Sequence, residues 1–316
     1  MPDLKLAVNL WNQNATWPEM LEAARRVESL GYDDLCTWDH LYAIFGDPHQ
    51  PAFDAWTVLA AWAIATRRVR LGLMVSANGF RNPAITAKMA TTLDHVSGGR
   101  AFLGIGAAWF EREHRAFGID FGRSVGERLD WLDEAVGAIR TWFEGGSVTS
   151  PGGGHYAFAD ARQAPLPLQR RMPILIGGSG RRKTLRIVAR YADMWNTFGM
   201  PDEVREQDAI LREHCEAVGR DPGGIERSVN LWIVIRDTEA QARRAWDEAM
   251  ERNGVEPAKR IEESRPVLGS PEFVAERLRG YVDAGFATVL YEVPAPYDVE
   301  TLERLAGEVK PLVDRG

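Results

Sequence analysis

The chain has 316 residues, 45% apolar and 26% charged, with a formal net charge of −7. That is an ordinary globular composition with length for a full core, and an acidic chain without a broad basic stripe is a poor nucleic-acid binder. No apolar run reaches the roughly 18 residues of a membrane span, the Met-Pro-Asp-Leu-Lys-Leu start lacks a signal peptide's apolar core, and Cys36 and Cys215 offer no metal spacing, so a reduced cytoplasmic protein is expected, without a metal and without nucleic-acid or membrane partners.

Apolar runs of strand length alternate with helical patterns along the chain. The first run, Leu4–Leu10, ends on Asn9-Leu-Trp11-Asn12, and Thr16-Trp-Pro-Glu19 then reads as a capping box. The second, Asp33–Trp38, ends on Trp38-Asp39-His40. The third, Val69–Ser76, runs out through Met74-Val75-Ser76-Ala77-Asn78, and Asn82-Pro83 starts a helix. The fourth, Ala101–Ala107, ends on Gly106-Ala107-Ala108-Trp109. Ser124-Val-Gly-Glu127 reads as a second capping box, and Val125, Leu129, Leu132, Val136, Ile139 and Phe143 form one apolar stripe on the helix after it.

Residues 144–172 break the rhythm. The segment is rich in glycine and proline and carries a short aromatic piece, His155-Tyr-Ala-Phe158. Loops of that length inside a barrel are usually functional or disordered, so it is a lid candidate. The fifth run, Pro173–Gly178, breaks into Gly177-Gly178-Ser179-Gly180 before a helix. The sixth, Ala192–Thr197, ends on Asn196-Thr197. The seventh is Ser228–Ile235, followed by the box Thr238-Glu-Ala-Gln241. A mixed, charged stretch from Glu251 to Gly269 reads as an elaborated connection, and Ser270-Pro271 caps the next helix. The eighth run, Phe286–Val293, reaches Glu292.

Most of these runs are nearly all apolar, which marks parallel strands covered on both faces. Eight β-then-α units in order predict an α/β fold, a (β/α)8 TIM barrel with an insertion before the fifth strand, and residues 1–316 are read as one barrel domain. An open doubly wound sheet is the competing topology. In such a barrel the chemistry sits at the C-terminal ends of the strands. Those ends here are rich in amides, hydroxyls, small residues and tryptophans, and no His-x-His closes the first strand, which argues against a metallohydrolase.

The loop Gly177–Gly180 lets backbone N–H groups approach a phosphate at a helix N-terminus, with Ser179, Thr184 and the Arg181-Arg182-Lys183 cluster beside it. A plain turn would carry the same glycines. His40 reads either as a working imidazole or as a core histidine bonded to a backbone carbonyl. His95 and His114 read as the latter. Trp11, Trp38 and Trp109 are either packing residues or walls for a flat aromatic cofactor.

The chain resembles the luciferase-like monooxygenase superfamily, in its branch of coenzyme F420-dependent oxidoreductases. The resemblance is carried by Trp38-Asp39-His40, by "RVRLGLMVSANGFRNPAITAK" through Lys88, and by "SGGRAFLGIGAAWFEREHRAFGIDF" from Ser97 to Phe121. It continues in "PILIGGSGRRKTLRIVARYADMWNTFG" from Pro173 to Gly199 and "GSPEFVAERLRGYVDAGF" from Gly269 to Phe286. It implies a deazaflavin, F420, in the barrel mouth and a small organic substrate that exchanges a hydride with it. His40 is then the catalytic proton donor or acceptor and Asp39 bonds the ring's polar edge. Met74, Val75, Ser76, Ala107, Ala108, Gly177, Gly178, Ser179, Gly180, Asn196 and Thr197 hold the cofactor, and Met74–Val75 matches a cis peptide without proline. Sugar-phosphate dehydrogenases of this branch carry a carboxylate where Trp109 stands, which counts against a sugar phosphate. The resemblance further implies a homodimer formed through helices near the second and third strands. The alternatives are an FMNH2-dependent monooxygenase on the same barrel, and a non-catalytic flavin-binding protein.

Overall fold

The computed structural model describes residues 3–315. Eleven strands form in chain order: β1 (Lys5–Leu10), β2 (Asp34–Thr37), β3 (Arg70–Leu73), β4 (Ser76–Ala77), β5 (Leu103–Gly106), β6 (Ile174–Gly177), β7 (Met194–Thr197), β8 (Glu226–Leu231), β9 (Ile233–Ile235), β10 (Val267–Gly269) and β11 (Thr288–Val293). Nine of them make one sheet in the order β3-β2-β1-β11-β8-β7-β6-β5-β4, every pair parallel. β3 and β4 are two halves of one stave, parted at Met74–Val75. Leu71 of β3 bridges to Ala101 just before β5, while Ser76 and Ala77 pair with Ile105 and Gly106. The sheet therefore curls round on itself, and nine segments give the eight staves of a TIM-type barrel.

Around it lie α1 (Trp17–Leu30), α2 (Ala55–Ala65), α3 (Pro83–Ser97), α4 (Glu111–Phe117), α5 (Val125–Phe143), α6 (Thr184–Tyr191), α7 (Pro201–Ala217), α8 (Glu239–Arg252), α9 (Pro257–Ser264), α10 (Pro271–Asp283), α11 (Val299–Arg304) and α12 (Lys310–Asp314). Among the described residues no helix is long and apolar enough to cross a membrane.

The helix starts follow from local chemistry. Thr238 and Gln241 form a reciprocal capping box. At Thr16 the Glu19 carboxylate reaches back to the Thr16 amide at 2.7 Å. At Ser124 the box is only half made: the hydroxyl accepts from the Glu127 amide, but the Glu127 carboxylate turns to Arg123. The α5 stripe is buried at Leu132, Val136, Ile139 and Phe143, whereas Val125 falls outside it and is exposed.

The strands alternate as a pleat demands. Ala7, Cys36, Leu175, Met194 and Leu290 fill the barrel interior with Phe102. Gly72 makes room there, since a Cβ at that position would meet the Phe102 ring at 2.2 Å. Two residues further along the same staves, the inward positions are Asn9, Trp38, Asn196 and Glu292. The mouth is thus a polar and aromatic layer resting on an apolar one.

The seventh expected strand needs correction. It does not run unbroken from Ser228 to Ile235. It stops at Leu231, turns at Trp232, and continues as β9, which leaves the barrel and pairs with β10. Trp232 swings inward to join Trp11 and Trp38, and that packing breaks the strand. The stretch from Glu251 to Gly269 contains α9 and β10.

Residues 144–172 run along the outside of α3 and α5. Val148 and Ala161 form an isolated antiparallel bridge, the Trp142 indole donates to Ala161 O, and Lys88, His95 and Asp94 of α3 bond the backbone of Ala164, Leu166 and Leu168. Trp131 of α5 stacks on His155 at 3.8 Å.

Candidate active site

The C-terminal ends of β2, β4 and β5 converge on one constellation. β2 delivers Trp38, Asp39 and His40 in sequence. Trp38 points into the barrel, Asp39 turns toward the neighbouring stave, and His40 begins the loop above. Asp39 is buried, and three donors reach its carboxylate. Ser76 Oγ donates at 2.8 Å, and Arg81 donates in bidentate fashion at 2.5 and 3.1 Å. A carboxylate offers about four lone-pair sites. One site on Oδ1 therefore remains open to a further N–H.

His40 is held just as specifically. Its Nδ1 lies 2.8 Å from Glu113 Oε1, and the other carboxylate oxygen accepts from the Leu41 amide at 2.8 Å and faces that of Tyr42 at 3.4 Å. A carboxylate already accepting backbone N–H groups is an acceptor toward the ring as well. Nδ1 thus carries the proton, and Nε2 is left as the nitrogen free to exchange one. Glu113 is buried on α4, and its negative charge is met by donors rather than by a free cation.

The bond between Met74 and Val75 is cis. Val75 sits in a notch between two glycines: a Cβ at Gly106 would lie 2.8 Å from it and one at Gly177 3.1 Å. Ala107 packs against the core at the end of β5. Next to it Ala108 adopts φ 62°, a left-handed conformation that costs a non-glycine residue roughly 1–2 kcal/mol. Backbone held this way, beside a buried carboxylate and an oriented imidazole, commonly marks a functional site.

The loop after β6 is less uniformly available than the sequence suggests. The Gly178 amide is spent on Asn196 O at 2.9 Å. The amides of Ser179 and Gly180 have no partner among the described hydrogen bonds. Gly178 has φ 129°, open to glycine, and a Cβ on Gly180 would lie 2.5 Å from Thr184 Oγ1, so the loop folds flat against the start of α6. Of the basic cluster, Lys183 is tied to Asp130 and Arg181 to Glu206, while Arg182 is exposed without an ion pair among the described residues.

Asn196 faces the interior and donates to Ser228 Oγ at 3.0 Å. Thr197 points the other way, its hydroxyl donating to Gln207 Oε1 of α7. The structure does not bring that hydroxyl to the mouth. His95 and His114 bond backbone carbonyls, of Leu166 and Phe110 respectively. Trp11 and Trp38 are buried in a cluster with Phe45 and Trp232, whereas Trp109 stands 61% exposed at the rim.

Three residues of the mouth escaped the sequence reading: Arg81, Glu113 and, as a network, Glu292. The Glu292 carboxyl is fully buried and accepts from Asn9, Trp11 and Asn230 at 2.9, 2.9 and 2.7 Å. Burial pushes it above the ordinary carboxyl range, against the pull of those three donors. Arg260 of α9 lies over Phe45 and Trp232, 4.7 and 4.8 Å from their ring centres, and burial lowers its pKa. Among the described residues no group of three or more His, Cys, Asp or Glu side chains could hold a metal ion.

A parallel (β/α)8 barrel with a histidine–carboxylate pair at its C-terminal mouth defines the class of protein. The chain belongs to the luciferase-like monooxygenase family, whose family model matches residues 5–288. An uncharacterized protein of Mycobacterium tuberculosis is 31% identical over 176 residues, covering 55% of this chain and 60% of that protein, so the chain spans less than two thirds of that relative. An F420-dependent glucose-6-phosphate dehydrogenase of Kineococcus radiotolerans is 29% identical over 320 residues and 93% of each chain. Among solved structures, an F420-dependent secondary alcohol dehydrogenase in complex with an F420-acetone adduct superposes with a TM-score of 0.85 at 22% identity, over 99% of both chains. At that identity the likeness shows the fold.

Proposed function

We propose that this chain is a coenzyme F420-dependent oxidoreductase acting on a small organic molecule. The observation that carries the reading is the His40–Glu113 pair at the barrel mouth, 2.8 Å apart and set beside the buried Asp39. The relatives named for F420 support the choice of cofactor.

The residues present fit a deazaflavin. Val75, in its glycine notch, offers a small apolar platform for a flat ring. Asp39 Oδ1 keeps one acceptor site for a ring N–H. The unpartnered amides of Ser179 and Gly180 would hold a cofactor phosphate at the start of α6, with Arg182 as a nearby cation. A bound deazaflavin supplies a two-electron hydride donor or acceptor.

The protein's own part is proton handling and exclusion of water. Glu113 fixes the His40 tautomer, so Nε2 gives a proton to, or takes one from, the substrate oxygen. The rings of Trp38 and Phe110 shield that nitrogen's surroundings.

Titration with F420 and with FMN, followed by absorbance and fluorescence, tests the assignment. The expected result is saturable F420 binding, at least tenfold tighter than FMN. Preferential FMN binding would transfer the chain to the reduced-flavin monooxygenases of the same fold, and binding of neither would remove the redox reading altogether.

A further inference from the structure

Trp109 is the one exposed tryptophan among the described residues; the other ten are buried or half-buried. It stands directly over the reactive imidazole. Its ring centre is 5.7 Å from that of His40, the planes at 79°. Trp38 and Phe110 complete a three-sided cage, at 6.1 Å each and also edge-on. Inside it the His40 side chain is only 11% exposed. Tyr42, two residues beyond His40, packs on Phe117 at 5.0 Å, and Phe117 is 52% exposed.

The two carboxylates beside this cage are already matched. Glu113 is taken up by His40 and the Leu41 amide, and Asp39 by Arg81 and Ser76. Arg260 lies elsewhere, over Phe45 and Trp232. A charged substrate group pressed between the rings beside His40 would lose water against apolar faces, which is costly. An apolar one would cover Trp109 and gain. Aromatic rings left open around one polar group are the form of a binding site rather than of a resting surface.

We propose that the substrate is uncharged, with its reacting hydroxyl or carbonyl group on an alkyl or aryl frame, and that Trp109 selects it as the outer wall of the pocket. The inference rests on the oxidoreductase reading for the chemistry, but the binding preference does not require it. The oxygen points to His40 Nε2, the single exchanging nitrogen in the cage, while the frame lies against Trp109 and Phe110. Specificity comes from the rings, which favour an apolar frame over a hydrated charge.

The test compares acetophenone with its para-carboxylate, which share a frame and differ by one charge, and adds glucose 6-phosphate. Binding to the cofactor-free protein is measured by calorimetry, KM with the F420-loaded protein, and F420 affinity by a separate titration. Acetophenone should bind at least tenfold more tightly than its carboxylate and show the lowest KM of the three. Trp109→Ala should weaken acetophenone binding about tenfold, with F420 affinity within twofold of wild type. Trp109→Phe, which keeps an aromatic wall and guards against a misfolded alanine variant, should recover most of the loss. Preference for the carboxylate or the sugar phosphate, or unchanged acetophenone binding in folded Trp109→Ala, overturns the proposal. A protein that fails to bind F420 yet prefers acetophenone would sink the cofactor assignment and leave this inference standing.

Discussion

Glu113 Oε1 lies 2.8 Å from His40 Nδ1, and the two come from segments 73 residues apart. The pair converts a histidine that can carry its proton on either nitrogen into one with a defined working atom. Glu113→Gln keeps the shape but offers an N–H where an acceptor stood, which favours the opposite tautomer. We expect turnover to fall by about 10²-fold or more, with F420 affinity within twofold of wild type and an altered pH profile of kcat/KM. Glu113→Asp should restore part of the rate. A Gln variant with the wild-type rate and profile would reduce Glu113 to a support for the loop at Leu41.

The phosphate loop gives a separate expectation. Gly178→Ala places a side chain at φ 129°, a region costing of order 1–3 kcal/mol, with its Cβ 3.3 Å from Thr184 Cγ2. Denaturant unfolding should show that loss. The shifted loop should also carry the Ser179 and Gly180 amides out of line, raising the F420 dissociation constant at least tenfold. Normal F420 affinity in a folded variant would place the phosphate elsewhere.

The staves were legible in the sequence, and part of the candidate site's geometry was, for reasons visible in particular residues. Strands such as "ILIG" and "LGIG" are apolar on both faces, so their type and direction could be read without knowing their neighbours. The break at Trp232 could not, because it depends on Trp11 and Trp38 drawing that ring inward. Asp39 and His40 stood out because they end a buried run. Glu113 did not, since "EREHRAF" looks like a solvated helix. One signal was available: Phe110, Glu113 and His114 fall at helical spacing, and the buried face of α4 is Glu113 and His114. Arg81 had no such signal, because its partner lies 42 positions away.

Glu292 sets a pH dependence of stability. Burial raises its folded pKa, so folding favours the neutral acid. That contribution is complete below the unfolded carboxyl value, about 4.3, and is lost as pH rises through the raised folded value. Glu292→Gln removes the titration. Unfolding free energies measured across that window should decline for the wild type relative to the variant. Parallel curves would mean that the three donors keep Glu292 ionised at no cost.

We propose self-association through α2 and α3. α2 carries no charged residue, and Ile64 on α2 and Ile85 on α3 are 63% and 54% exposed. Light scattering at micromolar concentration should give a homodimer, and Ile64→Glu should give a folded monomer. A monomeric wild type rejects the proposal.

Isotope transfer decides whether the chain exchanges a hydride with F420. Reduced F420 carrying deuterium at its hydride-donating carbon is incubated with the protein and the neutral ketone that binds best, and the alcohol product is analysed by mass. One deuterium is expected on the carbinol carbon, and far less of this labelled alcohol should form when His40→Ala is used over the same time. An unlabelled alcohol, or a product that has gained an oxygen atom from dioxygen, would contradict it.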